Sequence, residues 1–194
     1  MNTLAAPTIL MVPGLRDHMP QHWQTLLEQK LANAKSVPRM EAGQPKLSCA
    51  AWVAELDRSL AAIAGPVILV AHSAGVMIVA HWAERHQRAI LGALLAAPPD
   101  FESPLPEGYP TQEVLRENGW LPTPRAALPF PTIVAASTND PLGRYERVEA
   151  LAKAWGSKLV DVGNVGHLNP ASGYGEWPRA EEFIRELAEA SPRS

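Results

Sequence analysis

From Pro66 to Ala83 the chain is apolar almost throughout, interrupted only by His72, Ser73, Gly75 and His81. A run of this length is too long for one strand. The interruptions make it a poor membrane span, which needs about 20 mostly apolar residues. Two buried elements meeting at a turn explain it better. Val67-Ile68-Leu69-Val70 reads as a strand and Val76-Met77-Ile78-Val79 as part of a helix over about 74–86, joined by Ala71-His72-Ser73-Ala74-Gly75. A helix apolar nearly all round belongs in the middle of a fold. A continuously apolar strand belongs to a sheet covered on both faces.

The same rhythm recurs on either side. Thr8-Ile9-Leu10-Met11-Val12 reads as a buried strand ended by Pro13-Gly14. Pro20 suits the first turn of a helix whose Trp23, Leu26, Leu27 and Leu31 recur at helical spacing. Ser36 to Met40 carries a weak strand signal. Ser48 suits the N-cap of a helix with Trp52, Leu56, Leu60 and Ile63 on its apolar face, stopped by Gly65-Pro66. Strands are expected over 90–97, 131–137 and 158–162. One later helix presents Val148, Leu151, Ala152 and Trp155 and closes at Gly156; a last one opens at Pro178 with Phe183, Ile184 and Leu187 inward.

Strands and helices in alternation specify an α/β fold with a parallel sheet. The 194 residues read as a single domain, 1–194, large enough to bury roughly 70% of its unfolded surface. Residues 98–129 break the rhythm. They hold eight of the nineteen prolines, with Phe101, Tyr109 and Trp120. They read as a Pro-rich cap-like loop over the sheet end or as a plain long connection.

Catalytic groups in parallel sheets gather beyond the carboxyl ends of the strands, and three candidates lie there. Ser73 sits on a strand–turn–helix junction between small residues, the layout of a nucleophile elbow. The usual pattern is Gly-x-Ser-x-Gly, and Ala71 replaces its first glycine. Asp140, in Thr138-Asn139-Asp140-Pro141, follows the strand at 131–137. His167, in Gly163-Asn164-Val165-Gly166-His167, follows the last strand. The order serine, aspartate, histidine is that of α/β-hydrolases. Each residue alone has a plain structural reading, as a turn serine, a turn aspartate and a solvated histidine. Their combination points to a catalytic triad. The oxyanion donors expected are the backbone N–H of Ala74, at a helix N-terminus, and that of Leu15, after Pro13-Gly14.

The remaining histidines suggest no metal site. His18 and His22 have helical spacing but Met19 stands where a zinc protease carries Glu; they read as loop and helix-surface groups. His72 reads as packed beneath the elbow, and His81 and His86 as unpaired along a helix. Trp23, Trp52 and Trp155 fall on core-facing stripes.

The motifs together resemble the small serine hydrolases related to retinoblastoma-binding protein 9, within the α/β-hydrolase superfamily. They are Val12-Pro13-Gly14 with His22-Trp23-Gln24, Ala71 to Gly75 leading to Ala80-His81-Trp82-Ala83, Ala136 to Pro141, and Gly166-His167-Leu168-Asn169 leading to Gly173-Tyr174-Gly175-Glu176-Trp177-Pro178. The resemblance implies a compact three-layer α/β-hydrolase fold with a five- to six-stranded parallel sheet and helices on both faces. It implies Ser73 as nucleophile, Asp140 as acid and His167 as base. The Leu-x-Cys-x-Glu motif of retinoblastoma-pocket binding is not found in this chain.

The expected activity is hydrolysis of a small carboxylic ester, thioester or amide through an acyl-enzyme, with no cofactor and no metal. The alternatives are a non-catalytic protein-binding module on the same fold and an acyltransferase using the same triad. The expected partner is a small-molecule acyl substrate. A formal charge of −3 without a basic cluster argues against nucleic acid, and no membrane partner is expected. Cys49 is the only cysteine, which suits a reducing cytoplasm, and the first residues lack the basic start of a signal peptide.

Overall fold

In the computed structural model, which describes residues 6–16, 19–41 and 43–190, the alternating runs become strands and helices. The strands are β1 (Thr8–Val12), β2 (Ala34–Ser36), β3 (Val67–His72), β4 (Gly92–Ala96), β5 (Thr132–Ala136) and β6 (Lys158–Asp161). The helices are α1 (Trp23–Lys30), α2 (Cys49–Ala61), α3 (Ala74–Arg85), α4 (Gln112–Glu117), α5 (Tyr145–Trp155) and α6 (Arg179–Ala190), with a 3₁₀ turn at Pro170–Ser172. Every strand pairing is parallel, in the order β2-β1-β3-β4-β5-β6.

The pleat divides the apolar side chains between two faces. Ile9 and Met11 of β1 and Ile68 and Val70 of β3 pack with Trp23 and Leu27 of α1 and with Phe183 and Leu187 of α6. Leu10, Val12, Leu69 and Ala71 pack on the other face with residues of α2, α3 and α5, among them Trp52, Leu56, Val79 and Leu151. This gives three layers with one core on each side of the sheet. Burying each such Leu or Ile contributes about 1.5–3 kcal/mol. α3 is buried from Ala74 to Trp82, which is why it has no polar face over that stretch.

Capping sets several boundaries. Ser48 accepts from the Ala51 N–H and starts α2, as expected, a contact contributing about 1 kcal/mol. α1 begins later than Pro20 suggests, because His22 is its N-cap and accepts from the Gln24 N–H. β2 is shorter and earlier than 36–40. The Val37 N–H makes the final bond to the Met11 carbonyl, and Pro38 has no N–H to continue the ladder.

Segment 98–129 contains α4, capped by Thr111, and is tied down at several points. Phe101, Leu115 and Trp120 are buried in the core beside α2 and α3. The Trp120 indole donates to the Leu47 carbonyl and the Cys49 N–H to the Asn118 carbonyl. Arg147 of α5 grips buried Asp100 with two bonds of 2.8 and 3.1 Å and also meets Glu102, which pairs with Arg125. Among the described residues, no helix is long and apolar enough to cross a membrane.

The strand order reverses at β1: the chain goes to β2 on one side and fills β3 to β6 on the other. A crevice is expected beyond the carboxyl ends of β1 and β3 at such a switch point, where Gly14-Leu15 and Ser73 lie.

Candidate active site

Ser73 leaves β3 in a sharp turn with φ +56° and ψ −129°. A residue with a side chain rarely adopts this conformation, which costs on the order of 1–3 kcal/mol and must be imposed by its surroundings. Two bonds hold it: the Ser73 N–H donates to the Ala96 carbonyl, and the Ser73 carbonyl accepts from the Val76 N–H. Gly75 allows α3 to press against the end of β1. A Cβ there would stand 2.2 Å from the Val12 carbonyl oxygen. Ala71 needs no such freedom, being an ordinary strand residue paired with Val12 on one side and Leu95 on the other. A methyl is therefore tolerated there, and the chain departs from the Gly-x-Ser-x-Gly pattern without losing the turn.

Asp140 follows β5 and His167 follows β6, and the fold brings both to Ser73. His167 Nε2 lies 2.8 Å from Ser73 Oγ. His167 Nδ1 lies 2.8 and 3.0 Å from the two Asp140 carboxylate oxygens. Oδ1 also accepts from the Leu142 N–H, so Asp140 is a turn aspartate as well as the partner of His167. The Asp140 and His167 side chains are 2% and 6% exposed. An ionised carboxylate only accepts, so the proton sits on Nδ1, and Nε2 is free to accept from the Ser73 hydroxyl.

Gly14 lies against this group: a Cβ would stand 3.1 Å from Ser73 Cβ and 3.5 Å from its Oγ. Ala74 is the first residue of α3, so its N–H has no intrahelical acceptor. Among the described residues, neither the Ala74 nor the Leu15 N–H meets an acceptor. Both residues line a cavity of about 250 Å³ over Ser73 and His167. Segment 98–129 supplies much of its other wall through Pro99, Phe101, Leu105 and Tyr109. The arrangement can move a proton from Ser73 Oγ to His167, with Ala74 and Leu15, whose N–H groups meet no described acceptor, lining the same cavity.

The family model described as serine hydrolase matches residues 9–186. The chain belongs to the serine hydrolase family. A YdeN-like hydrolase of Pectobacterium atrosepticum is similar at 32% identity, over 94% of this chain and 90% of that one, with a TM-score of 0.79. The ydeN gene product of B. subtilis shares the fold at 20% identity over 95% of this chain and 100% of that one, with a TM-score of 0.74. Est1E of Butyrivibrio proteoclasticus shares it at 13% identity over 97% and 90%, with a TM-score of 0.67. Comparison with the curated proteins gives no match.

In this serine hydrolase several supporting residues escape a reading of the sequence. His72 lies beneath the elbow, as expected, but its Nε2–H also donates to the His167 carbonyl at 2.8 Å. Burial first, then the neighbouring His167 and His22, hold the His72 imidazole well below its ordinary pKa and so neutral. Gln24 is buried and donates to the Val12 and Val70 carbonyls, bridging β1 and β3 near their carboxyl ends. The His167 loop turns through positive φ at Gly166 and Leu168. The Gly166 N–H donates to Asn139 Oδ1 at 2.7 Å and the His167 N–H to Ser172 Oγ at 3.0 Å. The only sequence signal for these roles was the proximity of Asn139 and Ser172 to the triad candidates.

Other histidines differ from their sequence reading. His22 is buried, not on the helix surface, and His18 lies outside the described residues. His81 is not unpaired, since its ring bonds the Trp120 carbonyl. His86 lies flat against Trp82. Trp23, Trp52 and Trp155 are core residues, each 1% exposed. Burial pushes the Cys49 thiol up to about 12, so it is no nucleophile. Among the described residues, no group of three His, Cys, Asp or Glu could hold a metal ion.

Proposed function

We propose that this serine hydrolase cleaves a small carboxylic ester, thioester or amide through an acyl-enzyme on Ser73. One observation carries the reading: the unbroken hydrogen-bond chain from Asp140 through His167 to Ser73, ending beside two uncommitted backbone amides. His167 Nε2 takes the hydroxyl proton as Oγ attacks the substrate carbonyl carbon. The carbonyl oxygen becomes an oxyanion facing the Ala74 and Leu15 amides. Asp140 holds the histidine tautomer and stabilises the imidazolium. His167 then gives its proton to the leaving oxygen, sulfur or nitrogen, and the C–X bond breaks. Water, deprotonated by the same nitrogen, attacks the acyl carbon. The acid departs and Ser73 recovers its proton. The motifs around these residues support kinship with the hydrolases related to retinoblastoma-binding protein 9.

The cavity volume suits small acyl groups. A chain-length series of p-nitrophenyl esters tests this, and a preference for long chains would overturn it. Labelling by a fluorophosphonate probe, weighed on the intact protein beside Ser73→Ala, tests the nucleophile. A single adduct on the wild type alone is expected. Absence of an adduct on either protein, together with no acyl turnover, would favour a binding module. Acyl products formed with added alcohols or amines in preference to water would favour a transferase.

A further inference from the structure

Arg16 follows the proposed oxyanion donor Leu15 and lines the cavity over Ser73. Its guanidinium carbon lies over the ring of Tyr109, 4.6 Å from the centroid, and Tyr109 of segment 98–129 also lines the cavity. Among the described lining residues it is the only Asp, Glu, Lys or Arg. Two other arginines at segment 98–129 behave differently: Arg125 pairs with Glu102, and Arg147 with Asp100 and Glu102. Among the described residues Arg16 has no carboxylate partner.

Most of the remaining wall is apolar, with His22, Gln24, Tyr109 and Asn169 adding polar groups beside the triad. Met19 and Leu47, the two large apolar residues most exposed among those described, both stand in it, 42% and 39% exposed. A guanidinium lying over an aromatic ring keeps its N–H donors in its own plane, and these match a carboxylate in pairs. A largely apolar cavity that holds the reacting serine and one exposed cation stacked on Tyr109 is complementary to an apolar chain bearing one anion.

We propose that Arg16, steadied by Tyr109, receives a carboxylate of the substrate, so that the preferred substrates are esters, thioesters or amides with an apolar body and an anionic group away from the scissile bond. This rests on the acyl-hydrolase reading of the same site. Substrate charge then sets specificity, and Arg16 is a binding residue that takes no part in proton transfer.

The test compares kcat/KM within matched pairs: mono-p-nitrophenyl adipate against p-nitrophenyl hexanoate, and 4-(hexanoyloxy)phenylacetate against its methyl ester. The first pair places the anion on the acyl side and the second on the alcohol side. The wild type is expected to favour the anionic member of at least one pair by about tenfold. Arg16→Gln should bring that ratio near one, Arg16→Glu should invert it, and added salt should weaken it. No anion preference in either pair, or a preference that survives Arg16→Gln, would overturn the proposal.

If no ester is turned over, the hydrolase reading fails separately, and binding still tests Arg16. Calorimetry with Ser73→Ala should then show adipic acid monoanilide bound more tightly than hexananilide. Adding Arg16→Gln should remove the difference. Equal binding of the two by Ser73→Ala would overturn the proposal.

Discussion

The His72 ring holds His167 by its backbone: Nε2–H meets the His167 carbonyl at 2.8 Å, and both imidazoles are buried. The residue before the proposed nucleophile therefore positions the proposed base. Removing the bond leaves a buried carbonyl short of its donor, at a cost of about 1–3 kcal/mol. His72→Ala should lower kcat by about tenfold to a hundredfold with little change in KM. His72→Gln, whose amide can donate to the same carbonyl, should recover part of the loss. Equal activity of His72→Ala and the wild type would remove this role.

Asp140→Asn should cost about 10⁴-fold in kcat. The asparagine amide can donate to Nδ1, which drives the ring proton to Nε2, where it can no longer accept from Ser73. The fold should survive, since the Leu142 N–H can still find the amide oxygen. Steady-state ester kinetics beside a thermal melt separate the two effects, and full activity in Asp140→Asn would refute the acid assignment.

Gly75 and Ala71 flank the elbow but differ in what they tolerate. Gly75→Ala forces a methyl onto the Val12 carbonyl, so a loss of about 2–4 kcal/mol and most of the activity is expected. Ala71→Gly removes a methyl from an extended strand. It should cost only about 1 kcal/mol and keep the activity. Urea unfolding and ester turnover on both variants check the contrast.

Asp100 anchors segment 98–129 to α5. Burial raises its pKa, but the bonds from Arg147 and Ser103 outweigh this and leave it below the ordinary 3.8. The half-exposed Arg147 is screened by water. Asp100→Asn should therefore cost about 1–2 kcal/mol at neutral pH, or about 2–8 °C in Tm. A depressed carboxylate contributes fully above its unfolded pKa. The difference from wild type should hold above pH 3.8 and shrink as the pH falls through the lower folded value. Melts of both proteins across this range measure it.

His72 and His81 are both held below the ordinary histidine pKa of 6.5, chiefly by burial. Below pH 6.5 the unfolded chain takes up protons that the folded chain refuses. Stability should therefore be complete above that pH and fall as the pH drops toward the folded values, by up to about 1.4 kcal/mol per pH unit for each histidine. Replacing His81 by Gln should flatten the profile in chemical unfolding at pH 5 to 7. An unchanged slope would contradict this.

Much of this molecule is legible in its sequence because the signals are local. A strand buried on both faces must be apolar along its length, so β1, β3, β4 and β5 announce themselves, and the alternation with helices specifies a parallel sheet. Ser73 stands out because an apolar strand and an apolar helix meet at it, with Gly75 where the helix presses on β1, and Asp140 and His167 because each follows a strand end. Tertiary structure alone decided the rest. The bond from His72 to His167 spans 95 positions, and no local pattern encodes such a contact. Nor does periodicity reveal that His22 is buried against the His72 ring, that Gln24 bridges two strand ends, or that Arg16 stacks on Tyr109. Polar side chains follow no repeat when their partners come from elsewhere in the fold. Their roles are set by which loops the sheet order brings together beyond the ends of β1, β3, β5 and β6.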